Sequence, residues 1–416
     1  MTTNLGAVGD RHLRSGSSRA RSSVPVLAKR HSRLKPFAAV ALSLVVIVAA
    51  VAFFATPPGV LVPIMLDQRT NTASELPPMW YHAMAYDSQS DRIVLFGSPQ
   101  SGVNETWVYD FDTNTWTNMG STGAPLDRWG SGMTYDSQSD RVILWGGSNP
   151  AGFYPMNDTW AYDFESNGWT DMRPAAAPPG RFFLEIAYDS ESDRVVTFDG
   201  REQWLLDDET WAYDFDTNTW SDMNPAQPPY ADSSAMVYDS ESDRVVLFGL
   251  VSEESSGWWA MTWVYDLDQN TWTRMYPSAQ PPKLRFHAMA YDSQSDRVIL
   301  FGGEIDMGPT SDETWAYDLD TNTWTNMNPA TRPSARAWHA MAYDSQSDRV
   351  ILCGGYDSGT GNNETWAYDF DTNTWTQMTP GPVIPEFGAA GLVIIVMATV
   401  CILVALRCSH SSSRRD

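Results

Sequence analysis

The sequence is poor in cysteine and in basic residues, and both shortages exclude classes of protein. Its 416 residues include three cysteines, of which Cys401 and Cys408 lie in and just after an apolar run near the C-terminus. Cys353 therefore stands alone in the main body of the chain, and no disulfide can form within that body. The 27 Lys and Arg residues are outnumbered by 51 Asp and Glu, which gives a net charge of −24. Such a surface repels polyanions, so we expect no nucleic-acid partner.

Helical signals are also scarce and are confined to two long apolar runs, residues 37–55 and 387–406. Each run is long enough to cross about 30 Å of hydrocarbon. The flanking tails are basic, +7 for residues 1–36 and +2 for residues 407–416, and positive flanks stay inside the cell. Residues 56–386 would then lie outside and carry the remaining −33. For the first run, a cleaved signal peptide is the alternative to an uncleaved anchor.

Self-similarity is what the sequence has in abundance. The motif YDSQSDR or YDSESDR recurs at intervals of 49, 53, 50, 53 and 52 residues, starting at Tyr86, Tyr135, Tyr188, Tyr238, Tyr291 and Tyr343. A tyrosine followed seven residues later by tryptophan, as in Tyr109 and Trp116, recurs six times with similar spacing. Six units of about fifty residues therefore fill residues 79–379.

Each unit has the pattern of four short β-strands joined by turns rich in Asp, Asn and Ser. Tandem four-stranded units predict an all-β fold, a six-bladed β-propeller flanked by two transmembrane helices. The predicted blades are residues 79–120, 128–172, 181–223, 231–275, 284–327 and 336–378. The remaining segments are predicted as a basic cytoplasmic tail (1–36), a transmembrane or signal-anchor helix (37–55), linkers (56–78 and 380–386), a second transmembrane helix or sorting signal (387–406) and a basic cytoplasmic tail (407–416).

The repeats resemble the kelch family. The resemblance rests on the Tyr–Trp spacing and on a diglycine that ends the second strand at Gly146-Gly147, Gly302-Gly303 and Gly354-Gly355. Units 1, 3 and 4 depart from it with Gly97-Ser98, Asp199-Gly200 and Gly249-Leu250, so we expect local differences in those blades.

The C-terminus resembles a second family, the archaeal sorting signals of the PEF type. The matching residues are Ile384-Pro-Glu-Phe-Gly388, followed by the apolar run and basic residues. This resemblance implies cleavage by an archaeosortase-type transpeptidase and transfer to a surface anchor. A plain second transmembrane helix is the alternative.

Two sets of residues in the repeats raise the question of metal binding. The turn between the third and fourth strands, such as Asp110-Phe-Asp-Thr-Asn114, has oxygen side chains at alternate positions, as calcium loops do. It lacks the glycine and distant glutamate of an EF-hand, so we interpret it as scaffolding, with weak cation binding as the alternative. His82, His287 and His339 recur at one repeat position, and we consider them weak candidates for a metal set. We expect no cofactor.

N-glycosylation sequons occur just before the third strand of three units, at Asn104, Asn157 and Asn363. Other units have Asp at this position, so the sequon can also be a by-product of a structural preference. We expect glycosylation at these three sites, outside the cell.

The loops between the second and third strands and between units vary, whereas the other turns are nearly constant, so a binding surface is expected on the variable side. Arginines begin several units there and could bind an anion, and aromatic residues could add stacking surface. The candidate ligand-binding residues are Arg128, Arg181, Arg285, Arg336, Tyr154, Trp204, Trp258, Trp259 and Tyr356. The sequence thus favours a membrane-anchored extracellular binding or adhesion module for a protein or glycan, and the arginines favour an anionic ligand. A secreted enzyme acting on carbohydrate is the alternative.

Overall fold

The structure is a computed structural model that describes residues 76–97, 105–120, 123–150, 154–202, 205–206, 208–253, 257–357 and 359–378. These residues contain six four-stranded antiparallel sheets, each built from consecutive strands in the order in which they follow along the chain. The predicted six-bladed all-β propeller is confirmed. We call the strands of each blade a, b, c and d in chain order.

The first three blades share one strand pattern and differ in the short hairpins of their b–c loops. Blade 1 contains β1 (Ala83–Asp87), β2 (Arg92–Phe96), β3 (Thr106–Asp110) and β4 (Thr115–Gly120). Blade 2 contains β5 (Gly132–Asp136), β6 (Arg141–Trp145), the short β7 (Ser148–Asn149) and β8 (Tyr154–Pro155), β9 (Thr159–Asp163) and β10 (Gly168–Asp171). Blade 3 contains β11 (Glu185–Asp189), β12 (Arg194–Phe198), the short β13 (Arg201–Glu202) and β14 (Leu205–Leu206), β15 (Thr210–Asp214) and β16 (Thr219–Asp222).

Blade 4 differs from the other five because its first three strands are nearly twice as long. It contains β17 (Ala231–Asp239), β18 (Arg244–Glu253), β19 (Gly257–Asp266) and β20 (Thr271–Met275). Blade 5 contains the short β21 (Leu284–Arg285), β22 (Ala288–Asp292), β23 (Arg297–Phe301), the short β24 (Glu304–Ile305), β25 (Thr314–Asp318) and β26 (Thr323–Asn326). Blade 6 contains β27 (Ala340–Asp344), β28 (Arg349–Cys353), the short β29 (Tyr356–Asp357) and β30 (Thr360–Gly361), β31 (Thr365–Asp369) and β32 (Thr374–Gln377).

The residues that occupy the diglycine position explain where the blades differ in structure. In blades 2, 5 and 6 both glycines have positive φ and turn the chain out of strand b, as Gly302 (68°) and Gly303 (97°) do. Blade 3 keeps the same turn with Asp199 at φ 63° and Gly200 at 110°. In blade 4, Gly249-Leu250 does not turn, and β18 simply continues. The expected departure is therefore confirmed in blade 4, whereas in blade 3 the turn survives the loss of glycine.

Apolar side chains of neighbouring blades form the core, so each hydrophobic cluster spans a seam between two blades. The d-strand tryptophan adds a polar contact, because its indole N–H donates to the threonine that begins strand c of the preceding blade. This bond occurs at all six seams, at 2.8–2.9 Å. At the closing seam Trp116 donates to Thr365, 249 residues away. Blades 1 and 6 thus close the ring without exchanging a strand, by side-chain packing and by backbone bonds such as Met79 N–H to the Asn362 carbonyl at 3.0 Å.

The Asp-rich c–d turn is part of the scaffold, as the sequence indicated. Asp110 Oδ1 accepts the Thr113 N–H at 3.0 Å, and its Oδ2 pairs with Arg92 at 2.7 Å. The Tyr109 hydroxyl donates to Asn114 Oδ1 at 2.9 Å, and Asn114 has a φ of 51°. Equivalent arginine pairs and tyrosine bonds occur in all six blades. Every oxygen-bearing residue of this turn except the exposed central acid therefore has a structural partner.

Candidate functional site

The six a strands line a central channel with a volume of about 390 Å³. At its variable end, where the d–a and b–c connections meet, five aromatic residues pack against one another. Their ring centroids are 5.0–6.4 Å apart, and the residues are Tyr81, Trp129, Phe183, Phe286 and Trp338. We call this group the aromatic cap.

Most of the aromatic cap is held in a conformation that bulky residues rarely adopt. Tyr81, Phe183, Phe286 and Trp338 all have φ between 55° and 59°. Interblade backbone bonds hold them, including Tyr81 N–H to Trp338 C=O (3.0 Å) and Trp338 N–H to Phe286 C=O (2.9 Å). At the same repeat position blade 2 has Gly130, and the neighbouring Trp129 supplies its ring to the cap. Blade 4 has Ser233 there, so the cap is interrupted at blade 4. Backbone strain of this kind is characteristic of functional sites.

Three of the four predicted rim arginines are buried inside the blades. Arg128, Arg181 and Arg336 have no exposed surface. Each forms an ion pair with the acid that precedes strand c, Asp158 at 2.7 Å, Glu209 at 3.0 Å and Glu364 at 2.6 Å respectively. Arg128 and Arg336 hold the carboxyl pKa of Asp158 and Glu364 below the usual range, against the opposing effect of burial. These contacts give all three arginines a structural role, and ligand binding by their side chains stays a prediction.

Arg285 is placed differently because it is offset by one residue in its repeat. Leu284 occupies the buried position, and the Arg285 guanidinium lies 3.0 Å from Asp232 with 14% of its side chain exposed. Arg201, which the sequence did not single out, binds the other oxygen of Asp232 at 2.6 Å and is 23% exposed. Two arginines therefore share one carboxylate beside the interruption in the aromatic cap. We call Arg201, Asp232 and Arg285 the arginine bridge.

The predicted aromatic contacts are spread along the variable face. Tyr154 is 70% exposed and Trp259 is 46% exposed, whereas Trp258 is half-buried and stacks on Tyr230 at 6.1 Å. Tyr356 is half-buried and packs against Trp338 of the cap at 5.4 Å. Trp204 lies outside the described residues. The structure therefore joins Tyr356 to the channel mouth. It places Tyr154 on the b–c loop of blade 2, and Trp258 and Trp259 at the extended start of strand c in blade 4.

The three histidines do not form the metal set that the sequence allowed. Each is buried between blades, and His287 Nε2 lies 3.1 Å from the Phe248 carbonyl of the preceding blade. Burial lowers the pKa of His82 and of His287 to about 4, so both are neutral at pH 7. Among the described residues, no group of three or more His, Cys, Asp or Glu is arranged to hold a metal ion.

Blade 3 places two acids where other blades have small residues. Asp199, at 1% exposure, replaces the first glycine of the diglycine. It accepts bonds from the Gly200 N–H at 2.6 Å and from the Ser234 hydroxyl at 3.0 Å. Burial raises its pKa to about 8, and burial together with Asp199 raises the pKa of Glu185, which lines the channel, well above its usual range. A repeat alignment could have found both acids, since Gly or Ala holds the equivalent positions elsewhere.

The sequons also serve the scaffold. Their threonines, Thr159 and Thr365, are the buried acceptors for the tryptophan of the next blade. Their central acids, Asp158 and Glu364, are the partners of the buried arginines. Asn157 and Asn363 are exposed, and Asn104 lies outside the described residues. Glycosylation at all three positions stays a prediction.

The predicted membrane segments, residues 37–55 and 387–406, lie outside the described residues, as do the tails and the PEF-type motif. Within the described part of the chain, no helix is long and apolar enough to span a bilayer. The segment predicted as a linker before blade 1 extends into the fold at its end, since Leu76 is buried in the cluster that closes the ring.

Comparison with known proteins agrees with the repeat geometry. The model of the KLHDC2/KLHL20/DRC7 kelch-repeats domain matches residues 66–249 and 235–404. The chain belongs to the kelch-repeat family. Kelch domain-containing protein 10 of Xenopus tropicalis is 28% identical over 123 residues, which are 27% of this chain and 29% of that protein. Multiple epidermal growth factor-like domains protein 8 of Mus musculus is 24% identical over 246 residues, 56% of this chain and 9% of that protein. The match thus spans less than a third of either relative. A kelch propeller of this kind is the scaffold of a protein-binding module.

Proposed function

We propose that this protein is a membrane-anchored extracellular module that binds a protein or glycan through the variable face of its propeller. One observation carries the proposal. Five of the large hydrophobic side chains that are exposed in the described residues lie on b–c or d–a connections, and the sixth lies at the extended start of strand c in blade 4. They are Leu126, Tyr154, Tyr230, Tyr276, Met307 and, in the strand, Trp259. The constant a–b and c–d turns expose acids and small polar residues instead. Exposed apolar side chains gathered on one face are characteristic of an interaction surface.

The arginine bridge supports an anionic group on the ligand. Arg201 and Arg285 together carry two positive charges and share one carboxylate, in a chain with a net charge of −24. A ligand carboxylate can take the place of Asp232 on either guanidinium and form charged, bidentate hydrogen bonds. The aromatic cap beside it, where the Arg285 guanidinium lies 5.0 Å from the Phe286 ring, supplies apolar contact area.

Glycan-array and peptide-library binding by the full chain in detergent would identify a ligand. Replacing Arg285 by alanine should then weaken binding by about tenfold to 150-fold, the effect of losing one charged hydrogen bond. Arg297→Ala is the matched control, because Arg297 pairs with Asp318 on the constant face. Equal binding by both variants and the parent protein would refute the role of the arginine bridge.

The membrane topology is tested separately. Protease added to intact cells should digest the propeller and leave residues 1–36 intact. A protected propeller would reverse the assignment. If the PEF-type signal is processed, the mature chain should also lack Arg414 and Arg415 by mass spectrometry.

The alternative, a secreted enzyme acting on carbohydrate, would need acidic groups converging from several loops on one point. The two acids whose pKa is raised most clearly, Glu185 and Asp199, both come from blade 3. Binding is therefore the function that the geometry supports better.

A further inference from the structure

Blade 4 carries a strand edge that no described strand covers. β19 pairs with β18 from Gly257 to Tyr265, over almost its whole length. Its other neighbour, β20, pairs with it only from Thr262 onward. Residues Gly257–Met261 therefore have a partner strand on one side only. In the other blades strand c begins at the threonine equivalent to Thr262, so such an overhang occurs in blade 4 alone among the described strands. We call Gly257–Met261 the ledge.

The backbone groups of the ledge point away from the sheet at two positions. Backbone N–H and C=O groups alternate between the two sides of a strand. The threonine that begins strand c presents its carbonyl to strand d, as Thr210 does to Met223 N–H at 2.9 Å. Two and four residues before Thr262, Ala260 and Trp258 therefore face the same uncovered side. The Gln280 side chain confirms this direction, because its Nε2 donates to the Ala260 carbonyl at 2.6 Å. An edge carbonyl is thus satisfied by a side-chain amide that can move aside.

A cavity lies along the uncovered side. It has a volume of about 400 Å³ and is lined by Ala260, Met261 and residues 274–280. Arg274 is the charged residue among these lining positions, and none of them is an acid. The Arg274 guanidinium lies 4.6 Å from the Tyr276 ring, and Tyr276 is 72% exposed. Close by, the Lys283 amine lies 5.0 Å from the Trp259 ring. The surroundings are therefore apolar and positively charged.

The ledge lacks the features with which proteins normally protect a free edge. Such edges are usually blocked by charged side chains, proline or a bulge. The sequence Gly257-Trp-Trp-Ala-Met261 has no charge and no proline, and its pairing with β18 is regular. An apolar, regular edge is the arrangement to which another strand adds.

We propose that the ledge binds an extended peptide segment of a partner protein by strand addition, with an acidic side chain of the peptide placed beside Arg274. The peptide would continue the line of β20 and form main-chain hydrogen bonds with Trp258 and Ala260. A second copy of this chain is a poor occupant, because two bodies that each carry a large negative charge repel each other. The inference rests on the proposed function in that the ledge belongs to the variable face, and it specifies the class of ligand.

The test uses a display library of linear twelve-residue peptides selected on the full chain in detergent. The best peptide is synthesised unmodified and with N-methyl groups on alternate amides, which block strand pairing while keeping the side chains. We expect N-methylation in one of the two registers to weaken binding at least tenfold. Hydrogen exchange should show new protection at the amides of Trp258 and Ala260. Equal binding of all three peptides would overturn strand addition.

Substitutions in the protein locate the site. Ala260→Pro removes the outward N–H and should weaken binding at least tenfold, whereas Ala260→Ser keeps that N–H and should bind as the parent does. If Ala260→Pro fails to fold, the N-methylated peptides still decide the question on the unaltered protein. Peptides that bind Ala260→Pro normally but lose affinity for Arg285→Ala would overturn the ledge and leave the proposed function intact. If the peptide library yields no binder while the glycan array is positive, the ledge proposal is also overturned and the proposed function stands.

Discussion

The seam that closes the ring and the seams on either side of blade 4 are built differently. At the closing seam the Trp116 indole bonds to Thr365, the Tyr81 N–H bonds to the Trp338 carbonyl, and Gln346 reaches Asp91. Of these three kinds of contact, the tryptophan bond is the one kept at both seams of blade 4 among the described residues, where the arginine bridge adds ion pairs to Arg201 and Arg285. Glu191 and Glu241 replace the glutamine, and among the described residues no cap bond links Phe183 to Ser233 or Ser233 to Phe286.

Chain connectivity permits the difference. Blades 1 and 6 are far apart in sequence, so non-covalent contacts must keep the ring closed at that seam. They include the side-chain and cap contacts and the backbone bonds of Met79 with Asn362 and Gly355. Blade 4 is joined covalently to both neighbours, so its seams can lose contacts without opening the ring. The same blade carries the interruption in the aromatic cap, Asp232 of the arginine bridge, and the ledge. Departure from the repeat and candidate binding features therefore coincide.

The largest expected effect is a loss of stability when the d-strand tryptophan is removed, and its size should differ between the two kinds of seam. Trp116→Ala at the closing seam and Trp272→Ala at the seam between blades 3 and 4 remove equally buried side chains. Each should lower the free energy of unfolding by about 3–5 kcal/mol. We expect the greater loss for Trp116→Ala, measured by chemical denaturation. A greater loss for Trp272→Ala would contradict the role given to connectivity.

The second expected effect is a dependence of stability on alkaline pH that arises at the seam between blades 3 and 4. The folded-state pKa of Asp199, about 8, is above its unfolded value, so its contribution is fully present below about pH 4 and is lost as the pH rises through 8. Asp199→Asn should remove much of the loss of stability between pH 5 and pH 8.5, seen as a smaller shift of the denaturation midpoint. Asp216→Asn, at an exposed turn, is the control. An unchanged slope for Asp199→Asn would refute this assignment.

The third effect is acid sensitivity at the closing seam. Because burial lowers the pKa of His82 to about 4, its contribution is present above pH 6.5 and is lost as the pH falls through 4. The shift corresponds to roughly 3 kcal/mol at most. His82→Leu copies the residue that blade 3 uses at this position, Leu184, and should reduce the loss of stability between pH 6.5 and pH 4. Thermal melts across this pH range are the measurement. If His82→Leu shows the same pH dependence of the melting temperature as the parent protein, the histidine is not responsible.

The smallest effect concerns the contacts between a–b turns. Gln89 donates to Asp140 of the next blade at 2.6 Å. Glu191 and Glu241 hold the equivalent repeat positions, and a carboxylate has no amide N–H with which to make this bond. Glu191→Gln should raise the free energy of unfolding by about 0.5–1 kcal/mol, the net value of one hydrogen bond. The reciprocal variant, Gln89→Glu, should lower it by a similar amount. If both variants shift the free energy of unfolding in the same direction, the hydrogen bond between neighbouring a–b turns does not contribute to stability as described.

The fold could be predicted from the sequence because each blade repeats one set of local signals. The turn residues Asp110 and Asn114 and the spacing of Tyr109 from Trp116 fix strands and turns through contacts close in sequence. The roles of Arg128, Arg181 and Arg336 could not be predicted from one unit, since a surface arginine and a buried one look alike in isolation. The repeat did contain the signal, because Met79, Ala231 and Leu284 hold the same position and an apolar residue there indicates burial. Arg201 was missed because it lies in a variable b–c loop, where no repeat comparison applies.

Native-state hydrogen exchange of the cap amides tests the central claim, that blade 4 departs from an otherwise continuous ring. The amides of Tyr81, Gly130, Phe183 and Trp338 donate interblade bonds, so they should exchange only when the whole propeller unfolds. The amides of Ser233 and Phe286 have no such bond among the described residues and should exchange at least a hundredfold faster. Uniform protection of all six amides would contradict the account.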